Sequence, residues 1–431
     1  MIKVLLVDDN RFALEYFSHL IPWETYGFTL SGTALDGEFA LAQFKKDRPQ
    51  IVITDIQMPN INGIELARQI TQIAPDTVII FLSSYEEFQY AKAALQLGVY
   101  DYILKHEMTE EKLTQKLLDA AALIKGNEQR QRYINEGNLL YLLNDSENAD
   151  PDKSRQIFRQ YTGRYDLCIL MQDHIFPVFQ ELAATPDTEV PENSVRSYLY
   201  QYQNVNAAVR ICEFTWVILS ENSGSLYETA ATLSSRFYVK FRTTASIVLV
   251  AENRILRNCF TDYYTIRQQL TRKYFYLPAS VLNGDCFFPG HTAKTPVQTK
   301  ELRKLSENQD FEEISQRLQA DLRTAMLLKD DQMFSELTRT ALEILLPQHM
   351  NLLTADAQSL FELSDTDRKT YWYDAVSIVH WLTRQFETLT QIQQQTAAGT
   401  YSRTVNEILL YIHQNYSDSE LTVERIAEHF D

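Results

Sequence analysis

Four short stretches carry the side chains most suited to chemistry: Asp8-Asp9-Asn10, Thr54-Asp55, Ser83-Ser84 and Lys105. Each follows an apolar run, as in "KVLLV" before Asp8 and "IVIT" before Asp55. Converging carboxylates repel one another, so their pKa values rise or a cation joins them. Hard carboxylate oxygens with room for water suit Mg²⁺, the usual companion of a phosphoryl group. Beside such an ion Asp55 can act as a nucleophile toward phosphorus. Lys105 would supply a positive donor to one phosphoryl oxygen and Ser83 a hydroxyl donor to another. Each residue also has a plainer role. Asp9 or Asn10 can cap a helix, Asp55 can open the turn "QMPNING", Ser84 with Glu87 makes a capping box, and Lys105 can be a solvated loop lysine. Three carboxylates, a hydroxyl and an ammonium together argue for a site.

These residues need a scaffold that brings them to one place. Apolar strand runs fall at Val4–Val7, Phe28–Thr33, Ile51–Thr54, Val78–Leu82 and Tyr100–Leu104. Helical patterns alternate with them at Phe12–Ile21, Glu38–Phe44, Ile64–Ile73 and Phe88–Leu97. Short strands alternating with helices mean βαβ units and a doubly wound parallel sheet of α/β class. The first, third and fourth strands are almost continuous Val/Ile/Leu, as expected when helices cover both faces. In such a sheet functional groups collect at the carboxyl ends of the strands, where the four stretches lie.

In "LLVDDN", "IVITDIQMPNINGIEL" and "IIFLSSYEEFQYAKAALQLGVYDYILK" the chain resembles the receiver domain of two-component response regulators, over residues 1 to about 120. The resemblance implies Asp8 and Asp9 as acidic Mg²⁺ ligands, Asp55 as phospho-acceptor and metal ligand, and the backbone carbonyl of Gln57 as a further ligand. It implies Ser83 as the switch hydroxyl, Tyr102 as the aromatic that reorients, and Lys105 as the phosphate-pairing lysine. Met58-Pro59 and Gly63 fit the loop after the acceptor. It also implies a sensor histidine kinase as partner. One departure stands out. Receivers usually follow the lysine with a cis proline, and here His106 follows Lys105. A cis bond before a non-proline residue costs roughly 2.5–4 kcal/mol, so either this bond is trans and the loop differs, or a cis form is held under strain.

With 431 residues, about three domains are expected at roughly 150 residues each. No apolar run approaches the roughly 20 residues of a membrane span, and "MIKVLLVDDN" reads as a strand rather than a signal peptide, so a cytoplasmic protein is expected. Cys168, Cys212, Cys259 and Cys286 lack metal spacing and read as reduced, mostly buried thiols. The net charge of −17 repels nucleic acid on average, so any DNA contact needs a local basic surface.

Five segments follow: a receiver at 1–122, a helical linker at 123–154, a mixed α/β middle at 155–290, a helical region at 291–395, and a last segment at 402–431. Leu113, Leu117, Ala120 and Ile124 keep heptad spacing, which leaves two readings: a coiled-coil seam for a homodimer, or a plain connecting helix favoured by the interruptions at Asn127 and Gln131. In the middle segment "YDLCILM" and "ASIVLVA" read as strands, "NAAVRICEFTWVILSEN" as a hairpin, and "NRILRNCFTDYYTIRQQLTRKYFY" as one helix. The hairpin weakly resembles a degenerate nucleotide-cyclase (GGDEF-type) domain, with Ile211 and Cys212 in place of the glycines that admit a nucleotide. An interaction domain without chemistry is the favoured reading, and the chain is read as a regulator rather than an enzyme. In 297–391, Ile314, Leu318, Leu322 and Met326 mark a helix face, and Trp372 and Trp381 read as structural.

The final "ILLYIHQNYSDSELTVERIAEHF" resembles the start of an AraC-type DNA-binding domain with helix-turn-helix units. On that reading 422–430 is the supporting helix, the reading helix would follow Asp431, and no DNA-contacting residue is present. The expectation is a phosphorylation-controlled transcription factor with its output domain incomplete. The alternative is a regulator acting through protein interaction or an enzymatic middle domain.

Overall fold

The computed structural model describes residues 1–84, 97–144, 150–180, 189–202, 204–221, 224–288, 299–351 and 371–398, with Ile408, Tyr411, Thr422, Ile426, Ala427 and Phe430 beyond them. The chain divides into two units, Met1–Asn135 and Glu136–Asp431.

In the first unit β1 (Ile2–Val7), β2 (Phe28–Ala34), β3 (Ile51–Asp55), β4 (Val78–Ser83) and β5 (Asp101–Leu104) form a parallel sheet in the order β2-β1-β3-β4-β5. Successive side chains alternate between its faces. Val4 and Leu6 join Ile51, Ile53 and Ile80 in one core with Leu14 and Phe17 of α1 (Arg11–His19). Leu5 and Val7 join Val52, Ile79 and Phe81 on the other face, under α2 (Gly37–Asp47) and α3 (Gly63–Ile73). Burial on both faces explains why these strands read as unbroken apolar runs. The helices begin where short polar side chains cap them. Asn10, Asp36 and Asn62 each accept a hydrogen bond from a first-turn backbone N–H. The pattern expected at Phe88–Leu97 lies almost entirely outside the described residues.

One helix, α4 (Glu110–Asn144), serves both units. Leu113, Leu117, Ala120, Ala121 and Ile124 pack into the core of the first sheet. The four residues with heptad spacing are therefore core of their own domain and unavailable as a dimer seam. Leu139, Leu142 and Leu143 belong to a core of the second unit. A helix this long, supported along its inward face at both ends, needs no coiled-coil partner to form.

The second unit contains a five-stranded sheet. β6 (Arg164–Gln172), β7 (Val205–Cys212), β8 (Thr215–Glu221), β9 (Ala245–Ile255) and β10 (Val281–Asn283) lie in the order β10-β9-β6-β8-β7, antiparallel except at β9–β10. The hairpin expected at 205–221 is present, with Glu213 and Phe214 between its strands. The helix expected over 253–276 is shorter. Asn253–Ile255 finish β9, Arg164 pairing with Ile255, and Leu256–Arg267 is helical. A short 3-10 turn follows at Leu270–Phe275. Strand pairing captured the first residues that periodicity assigned to the helix. Four further helices (Thr299–Glu307, Phe311–Leu328, Asp331–Asn351 and Ala375–Ala398) enclose a separate core. There Phe179 stacks on Trp372 at 4.9 Å, and Trp381 meets both edge-on. Ile314, Leu318 and Leu322 are buried and Met326 is partly so.

No helix among the described residues is long and apolar enough to cross a membrane.

Candidate functional site

The strand order reverses between β1 and β3, which places their carboxyl ends side by side at a topological switch point. Val7 pairs with Thr54, so Asp8 and Asp55 leave adjacent strands next to each other. Both are buried, at 1% and 6% exposure, while Asp9 is exposed. One oxygen from each of Asp8, Asp9 and Asp55 lies within 4.8 Å of the others. Two backbone contacts hold the buried pair. Asp8 Oδ1 accepts from Asn10 N at 2.9 Å, and Asp55 Oδ1 accepts from Ile56 N at 2.8 Å. Asn10 itself caps α1, as its plainer reading holds.

Lys105 reaches into this cluster from the end of β5. Its Nζ is 2.7 Å from Asp8 Oδ2 and 3.0 Å from Asp55 Oδ2. Burial pushes the Asp55 carboxyl above its ordinary range, and Lys105 pulls it back only in part. For Lys105 burial is the largest single effect and favours the neutral amine. The hydrogen bonds and charges of the two aspartates outweigh it, and its pKa is raised. The site thus sets one ammonium against three carboxylates.

The peptide geometry at His106 is resolved in favour of trans, since the described residues contain no cis peptide bond. Lys105–Glu107 form a 3-10 turn in which Met108 N donates to Lys105 O at 3.2 Å, and Met108 is buried. With that turn, the lysine still reaches both aspartates.

Ser83 ends β4, beside β3, and is 1% exposed. Tyr102 lies on β5, half-buried against the core cluster that contains Val7 and Phe81. Gln57 is exposed in the loop after Asp55. Glu87, the far half of the capping box with Ser84, lies outside the described residues.

Two glycines shape the acceptor loop. A Cβ on Gly63 would sit 2.1 Å from Asp55 O, and one on Gly37 would sit 2.3 Å from Ile61 O. Gly63 N also donates to Ile56 O at 3.0 Å. Gly37 escaped the reading of the sequence. The available signal was its place just after Asp36, at the start of a helix beside the same rim.

Residues 4–118 match the family described as response regulator receiver domain. An uncharacterized response regulatory protein of Staphylococcus epidermidis is 43% identical over 125 residues, 28% of this chain and 49% of that protein. The uncharacterized transcriptional regulatory protein YesN of Bacillus subtilis is 38% identical over 125 residues, 29% of this chain and 34% of that one. The transcriptional regulatory protein HptR of Staphylococcus aureus is 44% identical over 105 residues, 24% and 41% of the two chains. The matches thus span less than half the length of these relatives. Among solved structures, the REC domain of AraT, a response regulator from Geobacillus stearothermophilus, is 29% identical. It covers 30% of this chain and 97% of that one, with a TM-score of 0.27.

Proposed function

With residues 4–118 a response regulator receiver domain, we propose that the chain accepts a phosphoryl group on Asp55 from the phosphohistidine of a sensor kinase and thereby controls transcription. The supporting observation is the cluster of Asp8, Asp9 and Asp55 with Lys105 bridging its two buried members. Relatives named as transcriptional regulators support the second half of the reading.

In the transfer, an Asp55 carboxylate oxygen attacks phosphorus as the P–N bond to the kinase imidazole breaks, and the imidazole leaves with its electron pair. Hydrogen bonding from Ile56 N holds Asp55 Oδ1, so Oδ2, which Lys105 Nζ contacts at 3.0 Å, is the oxygen that meets the donor as the lysine turns to the phosphoryl group. The three acidic side chains fit a hard divalent cation better than a single ammonium does, because excess negative charge remains after Lys105 is counted. The carboxylates of Asp8, Asp9 and Asp55 and the Gln57 carbonyl would hold Mg²⁺, which supplies charge neutralisation at the phosphoryl oxygens. Lys105 then pairs with one phosphoryl oxygen and Ser83 donates to another. Phosphorylation adds roughly −1.5 to −2 charges, and Tyr102 turns inward as Ser83 moves toward them. Contacts along α4, including a homodimer, would carry that change onward.

The middle sheet reads as an interaction domain. Ile211 and Cys212 place side chains beside the β7–β8 turn, and Glu189 engages that turn through Phe214 N at 2.8 Å and Arg210. The AraC-type reading of 402–431 falls largely outside the described residues. Tyr411 meets Phe430 edge-on at 5.5 Å, and Ile426 N donates to Thr422 O, contacts that suit a pair of packed helices.

Acetyl-phosphate labelling tests the acceptor. Asp55→Asn is expected to reduce acid-stable, hydroxylamine-labile label by at least about 100-fold, the scale on which a lost nucleophile acts. Undiminished labelling of Asp55→Asn would remove this assignment.

A further inference from the structure

A cavity of about 760 Å³ opens in the second unit, between the segment 176–178 and the helix Asp331–Asn351. Phe176, Pro177 and Val178 line it from the first element, Leu342 and Leu346 from the second. The apolar wall is fixed before anything enters. The Phe176 ring meets Tyr274 edge-on at 5.0 Å and Phe334 edge-on at 5.5 Å, and Phe176 N donates to Trp372 O at 2.8 Å. Thr271, also in the lining, donates its hydroxyl to Asp331 at the start of the helix. Two polar side chains of the lining are not spent in this way. Ser335 and Arg339 stand one turn apart on the helix, and among the described residues neither has a side-chain hydrogen bond or ion pair. Glu343, one turn further on and at the spacing that would suit Arg339, pairs instead with Arg303 at 2.8 Å.

Side chains four residues apart on a helix are neighbours on its surface, so a hydroxyl and a guanidinium so placed can meet one ligand group. We propose that this cavity binds a small monocarboxylate with an apolar body, Arg339 and Ser335 holding the carboxylate while Val178, Leu342 and Leu346 cover the body. The planar guanidinium gives two parallel hydrogen bonds to a carboxylate, and the Ser335 hydroxyl can donate a third. A dianion such as a phosphate monoester fits less well. Arg339 brings a single positive charge, Glu343 stands beside it, and the rest of the lining is uncharged, so a second negative charge would be left without a partner. The helix sets the length of the ligand. Arg339 and Leu346 are separated by two turns, about 10 Å along the axis, and an apolar body of about that length spans the site. The cavity has the volume of an ordinary small-ligand site. On a chain of net charge −17 an anion is repelled on average, and an unpaired cation beside an apolar recess is a local exception to that field. The site lies wholly in the second unit and does not depend on the chemistry at Asp55.

Isothermal titration calorimetry of the full chain with biphenyl-4-carboxylate, whose body has about the required length, tests the assignment. Saturable one-to-one binding below about 1 mM is expected. Biphenyl-4-carboxamide keeps the shape without the charge, and biphenyl-4-phosphonate adds a second charge. Each should bind at least about ten-fold more weakly, the scale of a lost charge-assisted hydrogen bond. Arg339→Met should weaken the carboxylate by about ten-fold or more and abolish its advantage over the carboxamide, and Arg339→Lys should restore part of that advantage. Ser335→Ala should cost about three-fold. Arg339 is exposed and Ser335 only half-buried, so far-ultraviolet circular dichroism of these variants should match the parent. Should one of them fold poorly, the other and the carboxamide comparison on the parent chain still decide. The bound carboxylate should also raise the melting temperature of the second unit in the parent and not in Arg339→Met. No saturable binding below about 1 mM, equal affinity for the carboxamide, tighter binding of the phosphonate, or an affinity that Arg339→Met leaves unchanged would each overturn the proposal.

Discussion

Two regions bury an aspartate against a lysine, and they do so differently. At the rim of the first sheet, Lys105 serves Asp8 and Asp55 with the exposed Asp9 close by. In the second unit Asp173 and Lys273 are matched one to one, at 4% and 5% exposure and 3.7 Å apart. Both Asp173 oxygens are occupied, Oδ1 by Ser246 Oγ at 2.7 Å and Oδ2 by Ala279 N at 2.8 Å. Lys273 Nζ donates to Gln172 O. Beside them His174 stacks on Phe214 and is hydrogen-bonded to Tyr274. A balanced, closed pair holds chain segments in register. An unbalanced cluster open at one side keeps charge in reserve for something that arrives.

That contrast can be broken most forcefully at Lys273. Lys273→Met strands the Asp173 carboxylate and should cost about 3–5 kcal/mol, while adding Asp173→Leu should recover most of it. Tryptophan fluorescence reads this unfolding well, because Trp216, Trp372 and Trp381 lie in the second unit and only Trp23 in the first. A neutral Lys273→Met would end the distinction between the two regions. Gly63→Ala should act at the other region, forcing the acceptor loop off Asp55 O at a cost of about 1–3 kcal/mol. It should lower Asp55 labelling although no reacting side chain is touched. Normal stability and labelling in that variant would show that the loop yields.

The two regions should also respond to acid with opposite sign. Burial, aided by Lys273, pushes the His174 pKa down to about 3 from 6.5. The folded form therefore binds fewer protons than the unfolded one, and stability falls as pH drops below 6.5, by at most about 1.4 kcal/mol per unit. His174→Gln should flatten that slope. Asp55 has a raised pKa, so its burial weakens the fold above that pKa and the cost is relieved on protonation. Asp55→Asn should stabilise the receiver at neutral pH, read by calorimetry as a raised melting temperature. An acid slope of the second unit that His174→Gln leaves unchanged, or a receiver that Asp55→Asn does not stabilise, would contradict the assigned environments. The smallest change is expected on α4, where Gly126→Ala should stabilise the helix by about 0.5–1 kcal/mol in thermal unfolding of dilute protein.

Much of the first domain was legible. Its strands are strongly periodic, and its chemistry-bearing residues stand directly after them, so strand ends marked the rim where Asp8, Asp55 and Lys105 meet and where Ser83 ends the neighbouring β4. The second unit was harder. Asn253–Ile255 carry an apolar residue at helical spacing, yet pairing with β6 claims them for β9. Leu113, Leu117, Ala120 and Ile124 have the same spacing whether they face a second helix or their own sheet, and periodicity alone does not separate those cases. Asp173 and Lys273 are 100 positions apart, so no local pattern announces their pairing.

From the sequence alone came the alternation of strand and helix, the carboxylates after β1 and β3, and the lysine after β5, because side-chain periodicity and strand termini are local properties of the chain. Only the tertiary structure decided that Lys105 reaches two aspartates through a trans peptide, that His174 is held neutral, and that α4 turns its leucine-rich face inward and its glycine-and-tyrosine face outward. These depend on which surfaces and charges meet after folding, and burial sets both the pKa values and which face of a helix is turned outward.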